Sequence, residues 1–407
     1  MTQLAGAGAP ATEFPVPAPS RSPQLLRRLQ AVIALAVLIA GAVGAWVIAD
    51  LRDDLASVPN LAQQYARLGQ VQHALSTAND LATRSVLLGE SASGTNATAA
   101  ATQVARANGL VVQAATDRPQ DAAALTALGQ EVLQYSTSLT VAAGASGTTA
   151  RSALTAATSQ LEEVLSAIDD LQAELATEAS ARPWSQTSPG AVIVIVVMLG
   201  VVGWASWLLA RLSHRAVNPG LAGAAAALLL LLVTGVAAQN TAAQASVASR
   251  DTEFTHVVNA ATAVRQLDTA QRVVTTAVLD QTWDSDAEAA YAAAYKAAST
   301  AGRAEDLGSL SRFDTQQAAI TDAVSKGDPK TAASTLLSDD AKAFRAVADA
   351  FRDKAEATSD TAVATAADEP RAARSELVFH LVVTILLAVA GAVAGVGGIA
   401  RRLREYQ

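Results

Sequence analysis

Four long apolar segments constrain the fold more than any other feature of this 407-residue sequence. They cover residues 31–49, 191–210, 219–238 and 377–399, and none of them contains Asp, Glu, Lys or Arg. About 20 apolar residues are enough to cross a bilayer, and such a segment must be helical because lipid cannot satisfy open backbone groups. The pattern therefore predicts an all-α membrane protein with four transmembrane helices.

The charge distribution predicts which parts of the chain face the cytoplasm. The two tails and the turn after the second apolar segment together hold eight basic and two acidic residues. The long segments are the reverse, with 14 acidic and 7 basic residues in 50–190 and 21 against 14 in 239–376. Because basic loops stay inside, both termini and the turn are expected in the cytoplasm and both long segments outside. A cleaved signal peptide is the alternative for the first apolar segment, although that segment is long for one and follows a 28-residue tail.

Composition narrows the remaining possibilities. Alternating runs of β-branched and aromatic residues are absent from the sequence, so essentially no strand is expected. The net charge of −8 argues against nucleic acid as a partner, and the lack of cysteine removes disulfides and thiolate chemistry.

The apolar segments and the charge distribution together predict the following order along the chain. It is a disordered cytoplasmic tail (1–28), a span (29–49), an outer bundle (50–190), a span (191–210), a cytoplasmic turn (211–218), a span (219–238), a second outer bundle (239–376), a span (377–399) and a cytoplasmic tail (400–407).

Each long segment is predicted to be an extracytoplasmic four-helix bundle. In the first, the stretches "ESASGTN", "TDRPQD" and "AAGASGTT" separate four helices, because Gly, Pro and Ser clusters interrupt helical periodicity. In the second, "DQTWDSDAE" breaks the chain, and "KGDPKT" is expected to start the last helix with Asp328 as its N-cap. Helices of this length joined by short loops form up-down bundles. The last helix of the first bundle carries an apolar stripe of Leu154, Leu161, Leu165, Ile168, Leu171 and Leu175.

The two halves of the chain also show signs of a duplication. The stretch "LSTANDLATRSVLL" from Leu75 aligns with "LDTAQRVVTTAVLD" from Leu267 at an offset of 192 residues. Six positions match in this alignment, and the same offset lays the first apolar segment approximately on the third. A repeated unit of span, outer bundle and span therefore accounts for the whole plan, with the two bundles in tandem.

Candidate chemistry is sparse. The four histidines are scattered, and no catalytic constellation or nucleotide-binding loop is present, so we expect neither enzymatic activity nor a cofactor. The "DSDAE" stretch from Asp284 begins like a calcium loop but lacks the Gly turn and the late Glu, so an N-cap with an acidic first turn is preferred. Gly391 and Gly395 form a GxxxG pattern, which permits close helix packing within the chain or with a second copy in a homodimer.

Three stretches carry a family resemblance. "RAVNPGLAGAAAALL", "GGIARRLREYQ" and "LGQVQHALSTANDLATRSVLLGE" resemble an actinobacterial four-span membrane protein family encoded beside a glutamine-binding lipoprotein and a soluble serine/threonine kinase. The resemblance implies that the outer bundles contact a solute-binding lipoprotein and that the turn and the tail contact the kinase. The residues it assigns to cytoplasmic docking are Arg211, Arg215, Asn218, Pro219, Gly220, Arg402, Leu403, Glu405 and Tyr406.

The expected function is a non-enzymatic transmembrane signal transducer. The geometry of two spans flanking an outer bundle is similar to the sensing halves of bacterial chemoreceptors and sensor kinases, but only short segments are expected in the cytoplasm. The alternative is a structural or assembly protein of the cell envelope that uses its bundles as docking surfaces. A transporter is a third reading, and the absence of charged residues from the apolar segments argues against it.

Overall fold

In a computed structural model, the structure describes residues 22–181, 189–213 and 219–405. These residues are helical with short connections and include no strand, as the sequence predicts. The α-helices are α1 (Ser22–Leu88), α2 (Thr95–Asp117), α3 (Ala122–Gly144), α4 (Gly147–Ala181), α5 (Pro189–Ser213), α6 (Pro219–Val247), α7 (Thr255–Asp280), α8 (Ser285–Ala304), α9 (Ser311–Ser325), α10 (Pro329–Leu337) and α11 (Asp339–Glu405). A 3₁₀ turn (Pro119–Asp121) precedes α3, and a π-helical segment (Ala248–Phe254) joins α6 to α7.

The predicted helix breaks in the first long segment are confirmed. Helix α1 ends at Leu88, and Gly89 follows in the left-handed region with φ of 64°. Pro119 opens the 3₁₀ turn before α3, where its missing N–H has no helical partner to lose. The apolar stripe of α4 is also confirmed, because Leu154, Leu161 and Ile168 are fully buried.

The second long segment departs from the predicted four-helix plan. Asp328 caps a helix as expected, with its Oδ1 accepting a hydrogen bond of 3.0 Å from the Thr331 N–H. This helix is the nine-residue α10, however, so the prediction that the last long helix begins here is wrong. Ser338 has extended backbone, with φ of −62° and ψ of 161°, and α11 begins only at Asp339. The loop between α8 and α9 was also not expected, and α7 to α11 all contribute to this segment.

The chain divides into two compact units. The first, here called the apolar unit, comprises Met1–Asp50, Gln186–Gln239 and Leu377–Gln407. The second, here called the polar unit, comprises Leu51–Ser185 and Asn240–Glu376. Both long segments therefore belong to one compact unit rather than to two separate ones.

Three helical stretches among the described residues are long and apolar enough to cross a membrane. They are Arg27–Leu88, Pro219–Asp280 and Arg345–Arg401, while α5 contains a shorter apolar stretch at Ile193–Leu208. Within the apolar unit, one core cluster joins all four of these helices. Its fully buried side chains include Ile33, Val202, Leu228 and Ile399, one from each helix.

The core of the polar unit is shared by both long segments. Leu75, Tyr135 and Leu161 from the first segment form one cluster with Phe254 and Val257 from the second. The Tyr65 ring meets the Phe254 ring edge to face, with 5.6 Å between the ring centroids. Burial of each large apolar side chain contributes about 1.5–3 kcal/mol, so this shared core holds the two segments together.

Candidate functional site

A polar cavity of about 230 Å³ lies within the polar unit, between α1, α7 and α11. The first long segment supplies the wall on α1, and the second supplies the walls on α7 and α11. Four guanidinium groups and three carboxylates line the cavity, which is an unusual density of charge for a helical core. The lining residues are His73, Ser76, Thr77, Asn79, Asp80, Leu81, Arg84, Asp268, Gln271, Arg272, Thr275, Arg345, Asp349 and Arg352.

Helical spacing brings these groups to the cavity. On α7, Asp268, Arg272 and Thr275 are separated by four and three residues, and such positions share one face of a helix. On α11, Arg345, Asp349 and Arg352 repeat the same spacing. The three residues on α7 therefore form one polar stripe, and the three on α11 form another. The cavity lies where these two stripes meet the polar face of α1.

Asp268 is the most buried charged group of the cavity, with 5% of its surface exposed. Its Oδ1 accepts a hydrogen bond of 2.9 Å from Arg352 Nε and lies 2.7 Å from Arg352 Nη2, which donates to Oε1 of Gln271. Its Oδ2 lies 2.8 Å from Nδ1 of His73 on α1. A carboxylate paired in this way links all three walls of the cavity.

The pKa of Asp268 reflects two opposing effects. Burial disfavours the charged carboxylate, but the charge of Arg352 and the contact with His73 outweigh this and hold the pKa below its usual range. For Arg352, burial likewise opposes the charge, and the attraction of Asp268 raises the pKa above its ordinary value. The pair is therefore ionised at neutral pH, and neither partner can be removed without leaving a buried charge.

A second ion pair, Asp80–Arg84, lies along the α1 wall at i and i+4. Among the described residues, Oδ1 of Asp80 and Nε of Arg84 have no hydrogen-bond partner, although both atoms are buried. Buried polar atoms are almost always hydrogen-bonded in folded proteins. This wall therefore offers one free acceptor and one free donor.

Two guanidinium groups lack a carboxylate partner. The guanidinium group of Arg272 makes neither a hydrogen bond nor an ion pair with the described residues, and among these residues that of Arg345 donates only to the carbonyl oxygen of Leu336, at 2.9 Å. Burial lowers the pKa of Arg272, although the more distant charges of Glu162 and Asp268 oppose the effect. Burial and the like charge of Arg84 lower the pKa of Arg345. The cavity thus contains positive charge that its own carboxylates leave unpaired.

The described residues assigned to cytoplasmic docking belong to the apolar unit, and none of them lines this cavity. Arg211 is exposed in the last turn of α5, with its Cζ 5.5 Å from the ring centroid of Trp207, within the range of a cation–π contact. Pro219 is the first residue of α6, and Gly220 packs against Gly398 and Ala394 of α11. Arg402, Leu403 and Glu405 belong to the final turns of α11, whereas Arg215, Asn218 and Tyr406 lie outside the described residues.

Gly391 and Gly395 face other helices of the same chain. A Cβ atom at Gly391 would lie 2.6 Å from Cβ of Ala227 and 3.1 Å from Cγ1 of Val37. One at Gly395 would lie 2.9 Å from Cγ2 of Ile33. Both glycines therefore allow α11 to approach α1 and α6 more closely than any larger residue would permit.

None of the site residues predicted from the sequence lines the cavity. The sequence contains opposite charges four residues apart, Asp80 with Arg84 and Asp268 with Arg272, on helices that also carry buried apolar residues such as Leu75 and Leu267. The "DSDAE" stretch is explained by capping, since Oδ1 of Asp284 accepts a hydrogen bond of 2.8 Å from the Ala287 N–H. No group of three His, Asp or Glu side chains arranged to hold a metal ion occurs in the described part of the chain.

Comparison of the protein with family models, curated proteins and solved structures finds no match.

Proposed function

We propose that the protein is a non-enzymatic signal transducer of the cytoplasmic membrane, which relays the state of a solute outside the cell to a cytoplasmic partner. One observation carries this proposal. Each helix that lines the polar cavity belongs to a helical run that also contains a segment long and apolar enough to cross a membrane. The run Arg27–Leu88 includes the α1 wall, Pro219–Asp280 the α7 wall and Arg345–Arg401 the α11 wall. A change in how these helices pack around the cavity therefore acts on the same helices that would cross the bilayer.

The proposed topology has four spans, with both termini in the cytoplasm and the polar unit outside. Helix α5 is the fourth span: its 25 residues extend about 37 Å at 1.5 Å per residue, which exceeds the hydrocarbon thickness of a bilayer. The basic residues Arg211 and Arg401 lie at the ends of α5 and α11, as the positive-inside rule requires of cytoplasmic ends.

Signalling requires that the outside ligand bind two arrangements of the helices with different affinity, since equal affinity shifts no equilibrium. Small buried residues favour such alternative arrangements. Ala78 and Ala82 on α1 and Ala270 on α7 are buried and present little side-chain volume to obstruct sliding or rotation. The ligand is either a free solute or a solute-loaded binding lipoprotein docked on the polar unit.

The cytoplasmic output surface consists of the turn between α5 and α6 and the C-terminal tail. Its proposed partner is a serine/threonine kinase. The packing of Gly220 against Gly398 supports a single composite surface, because it brings the beginning of α6 beside the final turns of α11. A shift of either helix would change that surface.

The test combines Arg211→Ala and Arg215→Ala with removal of residues 401–407. We expect the protein to lose co-purification with a cytoplasmic kinase and to alter downstream phosphorylation, while insertion into the membrane is unchanged. Arg371→Ala is the matched control, because its side chain is 68% exposed in the polar unit and, within the described part of the chain, pairs only with the nearby Asp368. Unchanged co-purification and phosphorylation in the truncated variant would reject the transducer and favour the structural or assembly protein.

A further inference from the structure

We propose that the polar cavity binds a small organic carboxylate that also carries a hydrogen-bond donor, as hydroxy acids and amino acids do. This names the ligand class of the proposed sensor and rests on the cavity being its sensing site.

The pairing of charges calls for an anion. All three carboxylates of the cavity are engaged: Asp268 and Asp349 pair with Arg352, and Asp80 pairs with Arg84. Arg272 and Arg345 are left without a carboxylate among the described residues. Two guanidinium groups on adjacent walls match a carboxylate, whose two oxygens can accept hydrogen bonds from both.

The charge of the anion follows from the count of charged groups. Four guanidinium groups face three carboxylates around the cavity, which leaves a formal surplus of one positive charge when His73 is neutral. A hydroxy acid neutralises this surplus with its single negative charge. The zwitterion of an amino acid places the same carboxylate between the guanidinium groups but carries no net charge, and a phosphate dianion would bring excess negative charge beside Asp80 and Asp268. Buried charge is tolerated only where it is balanced.

The second feature of the ligand follows from the α1 wall. Oδ1 of Asp80 is a buried acceptor without a partner in the described part of the chain, and it lines the same cavity. A hydroxyl or ammonium group on the ligand would satisfy it. A simple fatty acid would not, and would leave the carboxylate oxygen unsatisfied.

The volume of the cavity sets an upper limit on the size of the ligand. Pockets for drug-sized ligands span about 300–1,000 Å³, and this cavity of about 230 Å³ is smaller. A longer aliphatic chain would need apolar surroundings, whereas Leu81 is the one large apolar residue among the described residues that line the cavity. The ligand is therefore a compact, polar solute.

The test measures binding to the purified full-length chain in lipid nanodiscs by calorimetry. The probes are lactate, alanine and propionate, with lactamide and alaninamide as isosteres that lack the carboxylate, and inorganic phosphate. We expect saturable binding of lactate or alanine, at least tenfold weaker binding of propionate, and none of the amides. The stronger of lactate and alanine identifies the donor as a hydroxyl or an ammonium group.

Arg272→Gln and Arg345→Gln should each weaken that binding about tenfold or more, since each removes a charged hydrogen-bond partner. Arg371→Gln, on the exposed surface, should leave it unchanged. Without ligand, Arg272→Gln should unfold at a higher temperature than the parent, because an unpaired, half-buried charge has been removed.

The proposal is overturned if neither lactate nor alanine binds, if the amides or phosphate bind as tightly, or if Arg272→Gln leaves affinity unchanged. A lower unfolding temperature of Arg272→Gln would also overturn it, by showing that the guanidinium has a structural partner. None of these results depends on a cytoplasmic partner, and the test of the transducer leaves the cavity intact. The two proposals can therefore fail separately.

Discussion

The hydroxyl of Ser249 donates a hydrogen bond of 3.1 Å to the carbonyl oxygen of Ala366, and both residues are fully buried. Pro370 lies four residues beyond Ala366 in α11 and has no N–H to donate to that carbonyl. Ser249 belongs to the π-helical segment Ala248–Phe254, whose wider turn places it against α11. The π-helical segment thus supplies the hydrogen-bond donor that Pro370 removes from α11.

Ser249→Ala should therefore lower the free energy of unfolding by about 1–2 kcal/mol, because it leaves a buried carbonyl without a donor. Denaturant unfolding in detergent micelles measures the loss. The matched control is Ser246→Ala, since Ser246 is also buried but donates to Ala243 in its own helix. Equal losses in the two variants would mean that the contact between helices contributes nothing of its own.

Asp268→Asn should lower the free energy of unfolding by about 3–5 kcal/mol, because Arg352 would stay buried without its main partner. Asp349→Asn removes the other carboxylate that contacts Arg352, but the Asp349 side chain is 65% exposed. Its loss should cost less than about 1 kcal/mol. Comparable effects in the two variants, measured by the same unfolding curves, would contradict the central role of Asp268.

The ion pair of Asp268 with Arg352 should make the free energy of unfolding depend on pH in the acid range. The folded-state pKa of Asp268 is lowered, so the unfolded chain takes up a proton first as the pH falls below about 4. The stabilisation is complete above that pH and is lost as the pH falls toward the folded pKa. Between about pH 5 and pH 2.5, unfolding free energies of the parent should fall more steeply than those of Asp268→Asn. Parallel curves would rule out a lowered pKa.

Two helical glycines should respond to alanine with opposite signs. Gly109 lies inside α2 with no heavy atom within 4 Å of an added Cβ, so Gly109→Ala should stabilise the protein by about 0.5–1 kcal/mol. At Gly302 in α8, an added Cβ would lie 2.5 Å from Cζ of Phe351. Gly302→Ala should destabilise the protein by about 1–3 kcal/mol through overpacking. Thermal unfolding of both variants gives the signs directly.

In the apolar unit, Gly391→Ala should weaken helix packing, since the new methyl group would meet Ala227 at 2.6 Å. Gly397→Ala in the same helix is the control, because an added Cβ there meets no described heavy atom within 4 Å. We expect only the first variant to unfold at a lower detergent concentration. If Gly391→Ala instead changes the oligomeric state and leaves the monomer as stable as before, the glycine serves contact with a second copy.

The sequence predicted helices and most of their ends, because local signals determine them. Gly89 and Pro119 act through backbone conformation alone, and the structure has breaks at both. The break at Ser338 was missed although "SDD" is a plausible N-cap, since no glycine or proline marks it and the apolar pattern on either side continues.

The cavity could not be predicted in the same way. On each helix, pairs such as Asp80 with Arg84 look like ordinary solvated ion pairs at i and i+4. Only the packing of α1 against α7 and α11 removes them from solvent. That packing joins residues almost 200 positions apart, such as His73 and Asp268, and no local pattern encodes it.

The shared polar unit has a consequence for symmetry. At the offset of 192 residues that aligns the two halves, Asp80 corresponds to Arg272 and Asn79 to Gln271, and all four line the cavity. Two identical chains around a two-fold axis would have to place the same residue at both positions, so that acid would meet acid or base meet base. Within one polypeptide, the two positions can carry opposite charges. A single chain can therefore form a pocket that distinguishes the two ends of an asymmetric solute. A site on the two-fold axis of a homodimer would have identical walls and could not.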